Sequence, residues 1–265
     1  MSSLKTTASA TSKAKPKSKG WVPDQHGAWV MVTVPVVLGV FLAGPRWIHL
    51  PLAIAWYAGY FAFFALSWWL RARGKRRAAY VPALATYGAL CAVAATVVVW
   101  RLPSVLMWAG VFGVLMPIAV YEAYRRRPRS LLSGLSTVLA STAMVPLASF
   151  VVGESLSPRL LTLTALIALY FCGTIFYVKS LIRERNNLRF RWVSVGFHAV
   201  STVVVLLLVG WGLCHWGAVL VFSALTLRAW LMPWLGKRRG KPWTPKFVGM
   251  TEGISTLAVV AASLF

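Results

Sequence analysis

Residues 174–191 read Thr174-Ile-Phe-Tyr-Val-Lys-Ser-Leu-Ile-Arg-Glu-Arg-Asn-Asn-Leu-Arg-Phe-Arg191, and they join the end of one long apolar run to the start of the next. Eight charged or amide residues fall within thirteen positions: Lys179, Arg183, Glu184, Arg185, Asn186, Asn187, Arg189 and Arg191. His198 follows seven positions into the next apolar run. The same alternation of long apolar runs and short basic clusters extends along the chain, and it decides the fold class.

The composition is that of a membrane protein. The chain is 58% hydrophobic and 12% charged, with a mean hydropathy of +0.69, whereas a soluble domain has about 25% charged residues. Apolar runs of this length span a bilayer, where the backbone must satisfy its own hydrogen bonds in helices or a closed barrel. The runs are too long for barrel strands, which alternate over about 10 residues. The sequence therefore predicts an all-α, polytopic transmembrane helical bundle.

Nine spans are predicted, and they divide the chain into a tail and one domain. The tail, residues 1–20, is rich in Ser, Thr, Ala and Lys and is expected to be a disordered, basic, cytosolic segment. Residues 21–265 are expected to form a single transmembrane domain. Pro35, Pro117 and Pro146 fall inside spans and should kink them. The spans are placed near 27–43, 48–70, 79–100, 104–122, 131–153, 160–182, 192–210, 213–235 and 246–265.

The positions of the basic residues that give the net charge of +23 indicate the membrane topology. Of the 28 Lys and Arg residues, 24 lie in the tail or in alternate connections between spans, which places the N-terminus in the cytosol and the C-terminus outside. The expected partners are the lipid bilayer and the anionic lipids of the cytoplasmic leaflet, and no nucleic acid is expected. The predicted location is the bacterial cytoplasmic membrane.

Ionisable residues within spans are candidates for function because they are costly in lipid. At a helical rise of about 1.5 Å per residue, Glu252, His198 and Arg228 lie about 9, 10 and 14 Å from the cytosolic ends of their spans. Groups at one depth would line a cavity open to the cytosol, and Arg228 with Glu252 is expected to form a buried ion pair. Structural interpretations stay open: the pair as a clip, and His198 as a satisfied core histidine.

Neither the cysteine spacing nor any recognised catalytic motif predicts a metal site or an enzyme activity. Cys91, Cys172 and Cys214 lie in apolar runs without a CxxC pair, which argues against a disulfide framework or a zinc site. Hydrolase triads, HExxH and phosphate-binding glycine loops are missing from the sequence. No cofactor or metal is predicted and no catalytic residue is assigned, although His198 and Glu252 are the plausible general bases.

The start of the first span carries a recognisable motif. Trp21-Val-Pro-Asp-Gln-His-Gly-Ala-Trp29 contains Pro-x-x-His-Gly-Ala-Trp, formed by Pro23, His26, Gly27 and Trp29. This motif resembles the YwiC-like family of bacterial membrane proteins, and the resemblance covers most of the chain. It implies a protein of several membrane helices and names no activity.

A second resemblance is to the UbiA-type membrane prenyltransferases. Tyr121-Glu-Ala-Tyr-Arg-Arg-Arg-Pro-Arg129, with Gly134 beyond it, is similar to the Tyr-x-x-x-Lys-Arg…Gly segment of that family. The resemblance implies nine helices, with diphosphate motifs at the cytosolic ends of the second and sixth spans. Here the family's Asp-x-x-x-Asp position reads Arg183-Glu-Arg-Asn-Asn187, and its Asn-Asp-x-x-Asp position is replaced by Ser67-Trp-Trp-Leu-Arg-Ala-Arg-Gly-Lys-Arg-Arg77. Without paired carboxylates, magnesium-dependent prenyl transfer is not expected.

The resulting hypothesis is a metal-free anion site, since Arg and Lys bind phosphate oxygens directly. The ligand would be an anionic isoprenoid or a phosphorylated lipid, and any enzyme activity would be that of a divergent UbiA-type transferase. Two alternatives stay open: a small-solute transporter, and a non-catalytic scaffold or assembly factor whose arginines only anchor the topology. The expected ligand contacts are Arg71, Lys179, Arg183, Asn186, Asn187 and His198.

Overall fold

The computed structural model describes residues 20–23 and 26–264, whose regular secondary structure is helical with no β-strand among them. The predicted tail therefore lies outside the described residues, apart from Gly20. Two 3₁₀ segments, Gly74–Tyr80 and Pro103–Trp108, precede the third and fourth helices. The helices are α1 (His26–Ala43), α2 (His49–Arg71), α3 (Val81–Arg101), α4 (Ala109–Tyr124), α5 (Leu131–Thr142), α6 (Met144–Phe150), α7 (Pro158–Ile182), α8 (Leu188–Gly210), α9 (Trp216–Arg238) and α10 (Pro245–Leu264).

The helices confirm the predicted all-α membrane fold. Eight helical segments of the described chain are long and apolar enough to cross a bilayer, and α1 is a shorter apolar helix. The fifth of the predicted spans consists of α5 and α6 together, at Leu131–Phe150. It breaks at Ala143 because Pro146 has no N–H to donate to the carbonyl of Thr142. Helices α1 and α4 continue through Pro35 and Pro117.

Helix α7 lies at the centre of the bundle. It packs against α5, α6, α8, α9 and α10, and its Leu166, Ile167 and Phe171 belong to the main hydrophobic core with Phe222 of α9 and Val259 of α10. Of the 25 residues of α7, 12 are buried, against 3 of the 16 residues of α4. The outer helices thus present apolar side chains to lipid, and α7 organises the interior.

The helix ends alternate, so the basic turns meet at one end of the bundle. This basic end contains the start of α1 and the turns after α2, α4, α7 and α9. At the opposite end His49 holds the start of α2 against α6: its Nδ1 accepts from the Arg46 N–H at 3.0 Å, so its Nε2 donates to the carbonyl of Ala148 at 2.9 Å. Arg159 similarly donates to the carbonyl of Leu264, which joins the start of α7 to the end of α10.

Gly39 allows α1 to pack directly on the backbone of α6. A Cβ atom added there would lie 2.8 Å from the carbonyl oxygen and 2.9 Å from the Cα of Val145. Gly39→Ala is expected to lower the free energy of unfolding by about 1–3 kcal/mol, the usual cost of overpacking. That cost exceeds the gain of about 1 kcal/mol in helix propensity. Thermal unfolding of the purified chain in detergent measures the difference.

The matched control is Gly196→Ala in α8, where an added Cβ would meet nothing within 4 Å. Its melting temperature should equal or exceed that of the native chain, because only the propensity gain remains. Equal melting temperatures for the two alanine variants would show that α1 and α6 can separate without cost.

Candidate functional site

A cavity of about 1410 Å³ lies at the centre of the bundle and reaches its basic end. Residues from α1, α2, α5, α7 and α10 form most of its lining. The volume exceeds the ~300–1,000 Å³ of common small-molecule pockets. Its walls are chiefly apolar, and the aromatic residues among them are Trp56, Tyr60, Phe63, Phe64, Phe112, Tyr170 and Phe171. Such walls suit a long hydrocarbon chain.

Five cationic side chains, here called the cation cluster, line the cavity at its basic end: Arg71, Arg129, Lys179, Arg183 and Lys246. They come from the end of α2, the α4–α5 turn, the end of α7 and the first turn of α10. Glu252 is the one carboxylate among the described residues that line the cavity. The basic end of the cavity is therefore positively charged.

Local contacts orient two members of the cation cluster, and repulsion acts on a third. Arg71 donates from Nε to the carbonyl of Ser67 at 2.7 Å, and its guanidinium lies over the ring of Trp68. The Lys179 ammonium lies 5.4 Å from the ring centre of Phe190. Partial burial and then the positive charge of Arg129 lower the pKa of Arg183 from its usual value. An anion placed between Arg129 and Arg183 would relieve that repulsion.

Glu252 lines the cavity and forms the predicted ion pair with Arg228, whose Nη2 atom lies 2.7 Å from Glu252 Oε1. The other carboxylate oxygen of Glu252 accepts from the Thr174 hydroxyl at 2.6 Å, and the Tyr170 hydroxyl lies 3.2 Å from it. Arg228 also donates to the Ser255 hydroxyl at 2.6 Å. Glu252, Thr174 and Tyr170 line the cavity, while Arg228 lies behind them on α9. The network joins α7, α9 and α10.

The structure does not bring Asn186 and Asn187 to the cavity. The chain turns sharply after α7, where the Glu184 N–H donates to the carbonyl of Lys179 at 2.8 Å. Asn187 then caps α8: its Oδ1 accepts from the N–H of Phe190, and its Nδ2 donates to Glu184. Its amide is thus used within the turn, and Asn186 lines a separate recess.

His198 is also absent from the cavity lining. It is buried on α8, with Nδ1 2.7 Å from the carbonyl oxygen of Ser194. Its ring packs against Gly173 of α7, where an added Cβ would lie 3.0 Å from Nε2. This placement is that of a core histidine with a backbone partner.

The motif at the start of α1 forms part of the cavity wall. Pro23 is buried and Gly27 lines the cavity. Trp29 packs edge-on against Tyr60 and Phe61 of α2, with ring centres 6.0 and 5.4 Å apart. Helix α1 begins at His26, whose side chain lies outside the described part of the structure. The motif thus fixes α1 against α2 beside the cavity.

Comparison with known proteins decides the family. A family model described as YwiC-like protein matches residues 22–149, which include this motif and the cavity walls of α1 to α6. The Uncharacterized protein YwiC of Bacillus subtilis (strain 168) is 31% identical over 247 residues, or 92% of this chain and 96% of that protein. The chain belongs to the YwiC-like family. A Haemophilus influenzae relative is 28% identical over 190 residues, or 69% of this chain and 76% of its own. No solved structure matches the chain.

Several residues that line the cavity of this YwiC-like chain were not predicted from the sequence as site residues. Arg129 belongs to the segment that resembles the UbiA-type motif, and both Arg129 and Lys246 belong to the basic residues that set the topology, but neither was among the expected ligand contacts. Ser130 could have been predicted as the residue before α5, since a serine before an apolar run is a favoured N-cap. In the structure its Oγ accepts from the Ser133 N–H at 3.0 Å. Tyr170 and Thr174 could not be recognised from the sequence as cavity residues, because they are ordinary members of an apolar helix.

Metal-binding geometry is not found in the described chain. Among residues 20–23 and 26–264, no group of three His, Cys, Asp or Glu side chains is placed to hold a metal ion. The carboxylate that lines the cavity, Glu252, is already engaged by Arg228 and Thr174. The chemistry that the site offers is therefore cationic binding of an anion beside an apolar wall.

Proposed function

We propose that this multi-pass membrane protein binds, in its central cavity, an amphiphile with a phosphorylated head group and a long hydrocarbon tail. The cation cluster holds the phosphate and the aromatic walls hold the tail. The observation that carries the proposal is the combination of an aromatic-walled cavity of about 1410 Å³ with five cations at one end of it. In the bacterial cytoplasmic membrane, the positive-inside rule places that end in the cytosol.

Charge balance supports a phosphate as the ligand. In the part of the chain that the structure describes, Arg129, Lys179, Arg183 and Lys246 have no carboxylate within 4.0 Å. A phosphate supplies several acceptor oxygens and a negative charge to such a group, and arginine binds it in bidentate geometry. Direct contact with cations supplies here the positive charge that magnesium supplies at carboxylate-rich sites.

The layout of the lining supports an amphiphile over a soluble anion. The cation cluster is confined to the basic end, while Trp56, Phe112 and Phe171 belong to the apolar remainder. A tail that comes from lipid or detergent gains packing contacts along these walls rather than a transfer free energy out of water. The head group then fixes the orientation of the ligand.

Binding of farnesyl phosphate to the detergent-purified full chain tests the proposal. Lys179→Gln and Arg183→Gln are each expected to weaken binding at least tenfold, because a hydrogen bond to a charged group contributes about 1.5–3 kcal/mol. Farnesol, which has the same tail without the phosphate, should bind far more weakly. Changes in tryptophan fluorescence on titration would give the dissociation constants.

The matched control is Arg189→Gln, which removes an exposed cation of α8 that lines no part of the cavity. It should bind farnesyl phosphate as the native chain does. Equal affinity for farnesol and farnesyl phosphate would refute the phosphate contact. So would equal affinity of the Arg183→Gln and Arg189→Gln variants, which is the behaviour of a scaffold whose arginines only anchor the topology.

A further inference from the structure

A second recess, of about 250 Å³, lies at the basic end on the other side of the last turn of α7. Lys179 and Arg183 are four residues apart and share the face of α7 that lines the central cavity. Leu181 falls about 200° around the helix from Lys179, and it lines the recess instead. The remaining walls come from the α7–α8 turn, the end of α9 and the α9–α10 turn. The cavity and the recess share no lining residue.

Packing fixes the shape of the recess. Trp243 forms one wall, and its Nε1 donates to the carbonyl of Met232 at 2.8 Å. Gly236 lets α9 approach that ring, since an added Cβ would lie 3.0 Å from Trp243 Nε1. Gly240 turns the chain with a φ of +64°, a conformation that favours glycine. The tryptophan ring therefore holds the α9–α10 turn in place beside the α7–α8 turn.

The cations that line the recess differ from their neighbours in having no side-chain partner among the described residues. Arg238 and Arg239 lie over the rings of Trp234 and Trp243, at 3.9 and 4.2 Å. In the described chain no ion pair, hydrogen bond or ring contact engages the side chains of the three cations that line the recess. These three are Arg185, Lys237 and Lys241. Topology alone requires basic residues in these turns, but it does not require them to converge on one recess.

We propose that the recess binds a phosphate group presented at the membrane surface, held by Arg185, Lys237 and Lys241. The Asn186 side chain in the same lining adds a neutral amide donor. The volume of about 250 Å³ is below the usual range for whole small molecules, so the recess takes a phosphate or diphosphate with a small substituent. The phosphate comes either from a water-soluble ester or from the head group of a neighbouring lipid.

Calorimetric titration of the full chain with inorganic pyrophosphate, in phosphatidylcholine nanodiscs at constant ionic strength, tests this site. The Lys237→Gln/Lys241→Gln variant is expected to bind pyrophosphate at least tenfold more weakly than the native chain. The control Lys75→Gln/Arg76→Gln removes two exposed cations from another turn of the basic end and should bind normally. The Lys179→Gln/Arg183→Gln variant should keep pyrophosphate binding at the recess, so failure of the central cavity would not be mistaken for failure of this site.

Nanodiscs that also contain phosphatidylglycerol distinguish the two sources of phosphate. An unchanged pyrophosphate affinity assigns the recess to a water-soluble ligand. If phosphatidylglycerol is instead a competitor, it lowers the pyrophosphate affinity of the native chain and of the Lys75→Gln/Arg76→Gln control. If the already weak binding by the Lys237→Gln/Lys241→Gln variant then stays unchanged, the recess is assigned to a lipid head group. Pyrophosphate binding that is absent from the native chain, or equal in the native chain and the Lys237→Gln/Lys241→Gln variant, overturns the proposal.

Discussion

Glu252→Gln is expected to lower the free energy of unfolding by about 3–5 kcal/mol, because it leaves the charge of Arg228 without its partner inside the bundle. The two side chains are mostly buried, with 16% of Arg228 and 13% of Glu252 exposed. The glutamine oxygen can still accept the Thr174 hydroxyl, so the variant removes chiefly the ion pair. Unfolding with sodium dodecyl sulfate from mild detergent measures the change.

A double variant separates the ion pair from simple loss of packing. Adding Arg228→Met to Glu252→Gln removes the uncompensated charge and should restore most of the lost stability, as apolar replacements of buried pairs do. Glu154→Gln is the matched control, since Glu154 is exposed at the opposite end of the bundle. Stability losses of the same size for Glu154→Gln and Glu252→Gln would show that the pair does not hold α9 and α10 together.

Gly253→Phe is expected to weaken farnesyl phosphate binding at least tenfold while leaving the melting temperature close to that of the native chain. Gly253 lines the central cavity from α10, and an added Cβ there would meet nothing within 4 Å. A phenylalanine side chain can therefore enter the empty space without moving the backbone, and it occupies volume that the ligand tail would need. Fluorescence titration and thermal unfolding of the same preparation give both quantities.

The control for this steric test is Gly196→Phe in α8, which also has open space around the added Cβ but does not line the cavity. It carries the same change in helix propensity and in side-chain volume. Native-like binding by both phenylalanine variants would place the tail somewhere other than this cavity. Loss of binding with a large fall in melting temperature for Gly253→Phe alone would instead mean that α10 packs more tightly there than the structure shows.

The fold was largely predictable because bilayer thickness dictates the length of each apolar segment. The predicted span 27–43 corresponds to α1 at His26–Ala43, and 48–70 corresponds to α2 at His49–Arg71. The break between α5 and α6 was less predictable. Pro146 predicts a disturbed helix, but a missing hydrogen bond can produce either a kink or a break, and the residue alone does not distinguish the two.

The candidate site was predictable only where depth alone decides the partner. Arg228 and Glu252 are opposite charges at similar depth in neighbouring spans, and each needs the other in an apolar interior. The helical rise gives an expected depth for His198, but it does not tell which face of α8 the side chain occupies. Arg129 and Lys246 could not be predicted as cavity residues for a different reason. The membrane topology accounts for a basic residue in a turn whether or not that residue also lines a cavity.

Native mass spectrometry of the purified chain with the lipids it retains from its own membrane tests the central claim most directly. The account predicts one phosphorylated amphiphile per chain on the native protein and on the Gly196→Phe variant, and its loss from the Arg183→Gln and Gly253→Phe variants. A native chain that carries no phosphorylated amphiphile, or variants that all retain the same one, would contradict it.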